Sequence, residues 1–242
     1  MSRSVLASGI EVLSEHIPGV RSAAVGVWVR QGSVHEAEDD SGVSHMLEHM
    51  VFKGTDRRTS VEIAVALEGL GGSLDAYTSR EQTSYQARVL DEHVPEALDV
   101  LSDLVIRPRL DESDLSLERE VVLEEIAQVE DTPDDLVFEL HCERLWNGHP
   151  YGRSILGTSE TVGGMSAQRL RDLHQDRYTA AKARGSWARR PPPSGLLTAA
   201  MIARVSSALR SWAVASNSTS TSAATWIVSK APPSADCAPI DW

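Results

Sequence analysis

The chain of 242 residues is poor in cysteine, in aromatic side chains and in long apolar runs. Its two cysteines, Cys142 and Cys237, form neither a CxxC pair nor a disulfide framework, which excludes a stapled secreted scaffold and fits a reducing compartment. No apolar stretch approaches the roughly 18 residues needed to span a bilayer, so no membrane helix is expected. The opening stretch MSRSVLASGIEVLSEHIPGV lacks an apolar core followed by a small-residue cleavage site and does not read as a signal peptide. A cytoplasmic location is the expectation. Positive charge is also scarce: 23 Lys and Arg face 35 Asp and Glu, for a net charge of −12, and no basic patch offsets it. Nucleic acid is therefore not an expected partner.

The charge deficit is uneven. Residues 1–176 carry 33 acidic and 15 basic side chains, a net −18, whereas residues 177–242 carry 2 and 8, a net +6. The first segment alternates strand and helix patterns. Gly9 to Glu15 and Ser22 to Arg30 read as strands joined at IPGV, which predicts a hairpin. Ser41-Gly42 or Ser44 can cap a helix, and Thr59-Ser60 with Glu62 starts another that ends at Gly71-Gly72. SLDAYTS and TSYQARVL are strand candidates rich in Thr, Tyr and Val. PEALDVLSDLVI has helical apolar spacing with Pro95 in its first turn, and further helices are expected over Asp111–Ala127, Pro133–Trp146 and Met165–Tyr178. Strands separated by paired helices indicate an α+β or α/β layered domain. From about Ala180 the text turns to Ala, Ser, Arg and Pro, and only Leu196–Trp212 has helical spacing. The rest of that segment reads as disordered or linker sequence.

What the chain does contain is His45-x-x-Glu48-His49, within SHMLEHMVFKGT. On a helix, positions i and i+4 share a face, so His45 and His49 can present imidazole nitrogens to one Zn²⁺, with Glu48 beside them. A carboxylate so placed takes a proton from zinc-activated water, whose pKa falls towards about 7. Chance gives roughly 0.02 such strings in a chain of this composition, so the motif favours a metal site over two unrelated core histidines. A zinc site needs at least one more protein ligand. The best source is SLEREVVLEEIAQVEDTPDDL, where Glu118, Val122, Glu125 and Val129 form one helical stripe. Buried carboxylates need a partner, and a metal with its histidines is one. Glu120, Glu124 and Glu130 lie off the stripe and read as solvated. A half-exposed surface glutamate is the competing reading of Glu125.

GVSHMLEHMVFKGT, GLGGSLDAYTSREQTSYQARVL and LEREVVLEEIAQVEDTPDDLVFELHCERLWNGHPYGRSILGT together resemble the pitrilysin/insulinase family of zinc metallopeptidases. The likeness is to bacterial members related to mitochondrial processing peptidase, from about Gly9 to Tyr178. This resemblance implies an α+β fold: a two-layer roll of the processing-peptidase half type, with an antiparallel-rich sheet and helices on one face. It implies His45, His49 and Glu125 as the ligands of one zinc per chain, Glu48 as general base, and Glu118 as an acidic residue supporting the site. It also implies that substrate, a peptide or unfolded polypeptide, adds as a strand along the segment containing Asp75, Ala76 and Tyr77. Asp75 stands where the family usually has asparagine, which loses an amide donor and adds charge; a plain turn-shaping role is the alternative.

After Tyr178 the resemblance stops. The expected organisation is a zinc-peptidase-like domain over 1–178 and an atypical tail over 179–242, read either as a shifted reading frame of GC-rich DNA or as a genuine divergent segment. Members of the family add a second similar half, so a homo- or hetero-oligomer supplying that half is an expected partner. Two function classes follow: a zinc endopeptidase, or a catalytically silent partner subunit or inactive fragment with the same fold.

Overall fold

Alternation along two central strands decides which face of the sheet is covered. In the computed structural model, which describes residues 2–69, 71–178 and 224–229, these are β3 (Ser22–Val29) and β5 (Thr83–Leu90). Ala23, Val25, Val27 and Val29 of β3 and Thr83, Tyr85, Ala87 and Val89 of β5 are buried, while Gln86, Arg88 and Leu90 alternate to the other face. The remaining strands are β1 (Ser2–Val5), β2 (Glu11–Ser14), β4 (Ser73–Thr78) and β6 (Ala224–Ser229), and the sheet runs β1-β2-β6-β3-β5-β4. All pairings are antiparallel except that of β2 with β6. The antiparallel-rich α+β layering expected from the sequence is thus present.

The predicted hairpin is not. β2 pairs with β1, and β6 lies between β2 and β3, so the two strands flanking IPGV are antiparallel but one strand apart. A turn signal reports a chain reversal and not adjacency. β6 also falls in the stretch read as linker, while the helix expected over Leu196–Trp212 lies outside the described residues.

The apolar stripes of the helices close the covered face. α1 (Val43–Val51) places Val43, Met46, Leu47, Met50 and Val51 in the core, at 0–1% exposure. A full burial of this kind contributes about 1.5–3 kcal/mol for each large side chain. α2 (Ser60–Glu68) starts as read: Glu62 accepts from the Thr59 N–H at 2.8 Å and the Glu62 N–H donates back to the Thr59 hydroxyl at 3.3 Å. α3 (Val94–Ile106), with Pro95 in its first turn, packs on β3 and β5. α4 runs Glu112–Asp131, four residues beyond the expected end, until Pro133 opens α5 (Pro133–Leu145). α6 (Ser159–Gly163) was not read from sequence, and α7 (Ala167–Arg177) ends at Tyr178, whose hydroxyl meets that of Tyr85 at 3.0 Å.

Two polar features tie the layers together. Buried Asp103 on α3 accepts from Thr55 Oγ1 at 2.7 Å and from Arg58 at 2.6 Å, which fixes the loop leaving α1. On α7, His174 Nε2 lies 2.8 Å from the Val105 carbonyl. Burial holds the His174 pKa below its ordinary value, and the bond to Val105 offsets this only in part. A depressed histidine pKa means that the unfolded chain takes up the proton first as pH falls below about 6.5. Thermal melts are therefore expected to give a lower Tm at pH 5 than at pH 7, with the difference reduced in His174→Gln. An equal pH dependence in that variant would remove His174 from the account.

Candidate metal centre

One face of α1 is core, and the opposite face carries the histidines. His45 and His49 are one turn apart, ring centroids 4.6 Å, and both point towards α4. Glu125 answers from α4, with one carboxylate oxygen 3.6 Å from His45 Nε2 and 3.7 Å from His49 Nε2. Ligand atoms of these three residues all lie within 4.8 Å of one another. Zinc–nitrogen and zinc–oxygen bonds of about 2.0–2.2 Å at a tetrahedral angle put neighbouring ligand atoms roughly 3.4 Å apart. Two imidazoles and one carboxylate at these separations fit a zinc ion with a position left open. Glu120, Glu124 and Glu130 are exposed, as their place off the stripe required.

The surroundings set the state of these groups. Burial, then the neighbouring His49, pushes the His45 pKa down to about 4, so its imidazole is neutral near pH 7 as a ligand must be. Buried Glu118 accepts at His49 Nδ1, 3.1 Å away, which leaves Nε2 as the ligating nitrogen. Glu48 lies beside the histidines, and burial raises its pKa; the Thr78 hydroxyl, donating to Oε2 at 2.5 Å, opposes that rise.

The start of α1 is held by a residue that sequence reasoning missed. The N-cap position is Gly42, which has no side chain to cap with. Instead the buried Glu36 carboxylate accepts from the Gly42 N–H at 2.9 Å and the Ser44 N–H at 2.8 Å. Gly42 has φ of 91°, and a Cβ there would stand 2.4 Å from the Leu156 carbonyl oxygen, so the tight crossing with the 156–157 backbone requires glycine. Ser44, the other cap candidate, is buried and accepts from Gln31 Nε2 at 3.0 Å. No local pattern in the sequence announces Glu36. Two other unforeseen contacts had a signal: Lys53 is four residues beyond His49, and Thr78 is two beyond Ala76 on the same face.

β4 brings its residues to the site unequally. Thr78 and partly buried Ala76 face the helices, whereas Asp75 and Tyr77 are exposed on the alternate face. The Asp75 carboxylate accepts from Ser73 Oγ at 3.3 Å, so its charge is directed away from the histidines. β4 is the edge strand, and among the described residues its outer backbone edge has no partner strand.

Comparison with known proteins bears on the family and the fold. The chain is 44% identical over 177 residues to an uncharacterized zinc protease of Mycobacterium leprae, covering 73% of this chain and 40% of that protein. It is 40% identical over 179 residues to the probable mitochondrial-processing peptidase subunit beta of Arabidopsis thaliana, covering 74% and 34%. A peptidase M16 inactive domain from Pseudomonas fluorescens shares the fold, with a TM-score of 0.69 at 20% identity, over 74% of this chain and 44% of that one. This chain thus spans about a third to two-fifths of the length of these relatives. The family described as insulinase (peptidase family M16) matches residues 11–159, more than half of the sequence, and the chain belongs to that family.

Proposed function

We propose that the chain is the zinc-binding part of an endopeptidase of the processing-peptidase type. The observation that carries this is the convergence of His45, His49 and Glu125, drawn from two helices about 76 residues apart in sequence. His45, His49 and Glu125 would hold one zinc ion. When bound, zinc supplies Lewis acidity towards a peptide carbonyl and makes water acidic enough to lose a proton near neutral pH. Glu48 takes that proton and returns it to the leaving amine, and its raised pKa brings it closer to the working pH of a general base. Thr78 orients the Glu48 carboxylate. Glu118 acts through His49, fixing its tautomer and ring plane.

Substrate binds along the free edge of β4 as an added strand. Main-chain bonds from alternate residues of the Asp75-Ala76-Tyr77 segment supply affinity for any extended peptide or unfolded polypeptide. The outward Asp75 and Tyr77 side chains flank that edge and bias side-chain preference rather than touch the metal. Residues 1–178, with β6 inserted in their sheet, form the zinc-peptidase-like unit. A second similar half, from elsewhere in a longer chain or from a homo- or hetero-oligomeric partner, closes over the peptide. The two cysteines support a cytoplasmic setting, and among the described residues no helix is long and apolar enough to cross a membrane.

The second reading is a silent partner or inactive fragment. It is favoured by the fold shared with the Pseudomonas inactive domain, and opposed by the intact His45, Glu48, His49 and Glu125 set. A quenched-fluorescent peptide library separates the two. Cleavage that a chelator abolishes and added zinc restores is the expected result, and absence of chelator-sensitive cleavage at every protein concentration selects the silent reading.

A further inference from the structure

The loop leaving α1 places a cation where the metal centre has an unused carboxylate oxygen. The Lys53 N–H donates to the Met50 carbonyl at 3.2 Å, prolonging α1 by a turn, and the Lys53 carbonyl accepts from Arg109 at 3.0 Å. The Arg109 N–H in turn donates to the Gly54 carbonyl at 3.0 Å, and Thr55 bridges to Pro108. This segment is thereby stitched to the connector that leads into α4. The Lys53 ammonium reaches Glu118 Oε1 at 2.6 Å, while Glu118 Oε2 faces His49 Nδ1 at 3.1 Å. One buried carboxylate thus joins a lysine to a ligand histidine.

We propose that Lys53 is a positioning residue of the metal centre: it locks the Glu118 carboxylate so that His49 is held with its proton on Nδ1 and its lone pair on Nε2, towards Glu125 and His45. The inference rests on the zinc reading above. A glutamate has three rotatable side-chain bonds, and a single hydrogen bond to His49 leaves its carboxylate free to swing. A second, charge-assisted bond to the other oxygen removes that freedom, because both oxygens can be satisfied in only one rotamer. The ring plane of His49 follows the carboxylate it donates to. His45 has no equivalent support, since its buried Nδ1 has no hydrogen-bond partner among the described residues. The order of the ligand pair therefore depends on the His49 side, and so on Lys53.

The bland alternative is a rim ion pair. The Lys53 side chain is 35% exposed, and pairs of that kind contribute about 0–1 kcal/mol to stability and nothing to the metal. Two measurements on the full chain tell the cases apart. In zinc-free protein at a fixed alkaline pH, nitrogen-15 NMR of the imidazoles should show His49 in the Nδ1–H form, a mixture of tautomers in Lys53→Met, and the wild-type form again in Lys53→Arg. Zinc affinity, read by competition with a chromophoric chelator, should fall about 3- to 10-fold in Lys53→Met, less than the roughly 10- to 100-fold of direct outer-shell partners. It should recover to within twofold in Lys53→Arg, and Lys53→Met should add nothing to Glu118→Gln. Wild-type tautomer and affinity in Lys53→Met, with only a lowered Tm, would overturn the inference. If the wild-type chain binds no zinc, the metal reading falls, while the tautomer measurement still decides the role of Lys53.

Discussion

Glu48→Gln is expected to leave zinc bound and to lower kcat/KM for peptide hydrolysis about 100- to 10,000-fold, the usual contribution of a positioned general base. The substitution keeps the shape of the side chain. Glutamine retains an oxygen that can accept from Thr78, and the core face of α1, formed by Met46, Leu47 and Met50, is untouched. The change is thus confined to proton affinity, because an amide cannot accept the proton that Glu48 is assigned. Paired assays of zinc content and of cleavage of a fluorogenic peptide read the two properties apart. Zinc at the wild-type level with hydrolysis reduced by at least a hundredfold is the expected pattern. Hydrolysis within tenfold of wild type would take Glu48 out of the chemistry.

The second large effect concerns the metal itself. Glu125→Ala removes the carboxylate of the proposed ligand set and should weaken zinc binding beyond the roughly 10- to 100-fold that outer-shell partners cost. Glu125 is half-exposed on α4, so its truncation leaves no buried cavity and should change the fold little. Glu124→Ala, at an exposed position one residue away, is the matched control and is expected to behave as wild type. Thermal shift gives the readout: zinc at a hundred times its dissociation constant stabilises the native state by about 2.7 kcal/mol, which raises Tm in wild type and Glu124→Ala. Glu125→Ala should show no such rise at the same concentration. A zinc-dependent Tm rise equal to wild type in Glu125→Ala would mean that the ion sits elsewhere.

The candidate metal site was legible because it is written in local periods. His45 and His49 are one turn apart, and Glu118, Val122 and Glu125 follow the period of a helix whose inner face is buried. Sequence likeness then paired the two helices, something no local period can do. What stayed hidden is long-range. β6 inserts between β2 and β3 from some two hundred residues away, and a turn at IPGV carries no information about such a guest. Glu36 caps α1 across a loop, from a position that no capping pattern designates. Asp75 was left between two readings for a different reason. Its exposure follows from strand alternation once Thr78 and Ala76 are known to face the helices, and that required knowing which face α1 covers.

Glu118 shows how the two kinds of information combine. Its helical spacing marked it as inward-facing, and its buried carboxylate indeed meets His49. Only the folded structure adds Lys53 on its second oxygen. The polar cluster is therefore larger than the proposed ligand set.

The central claim is that His45, His49 and Glu125 together hold one zinc ion. Zinc-to-protein ratio, measured by elemental analysis after metal removal, reloading and dialysis, tests it most directly. The account expects about one zinc per wild-type chain and almost none in the His45→Ala/His49→Ala double variant, with circular dichroism showing the fold retained in both. A folded wild-type chain that keeps no zinc, or a double variant that keeps as much as wild type, would contradict it.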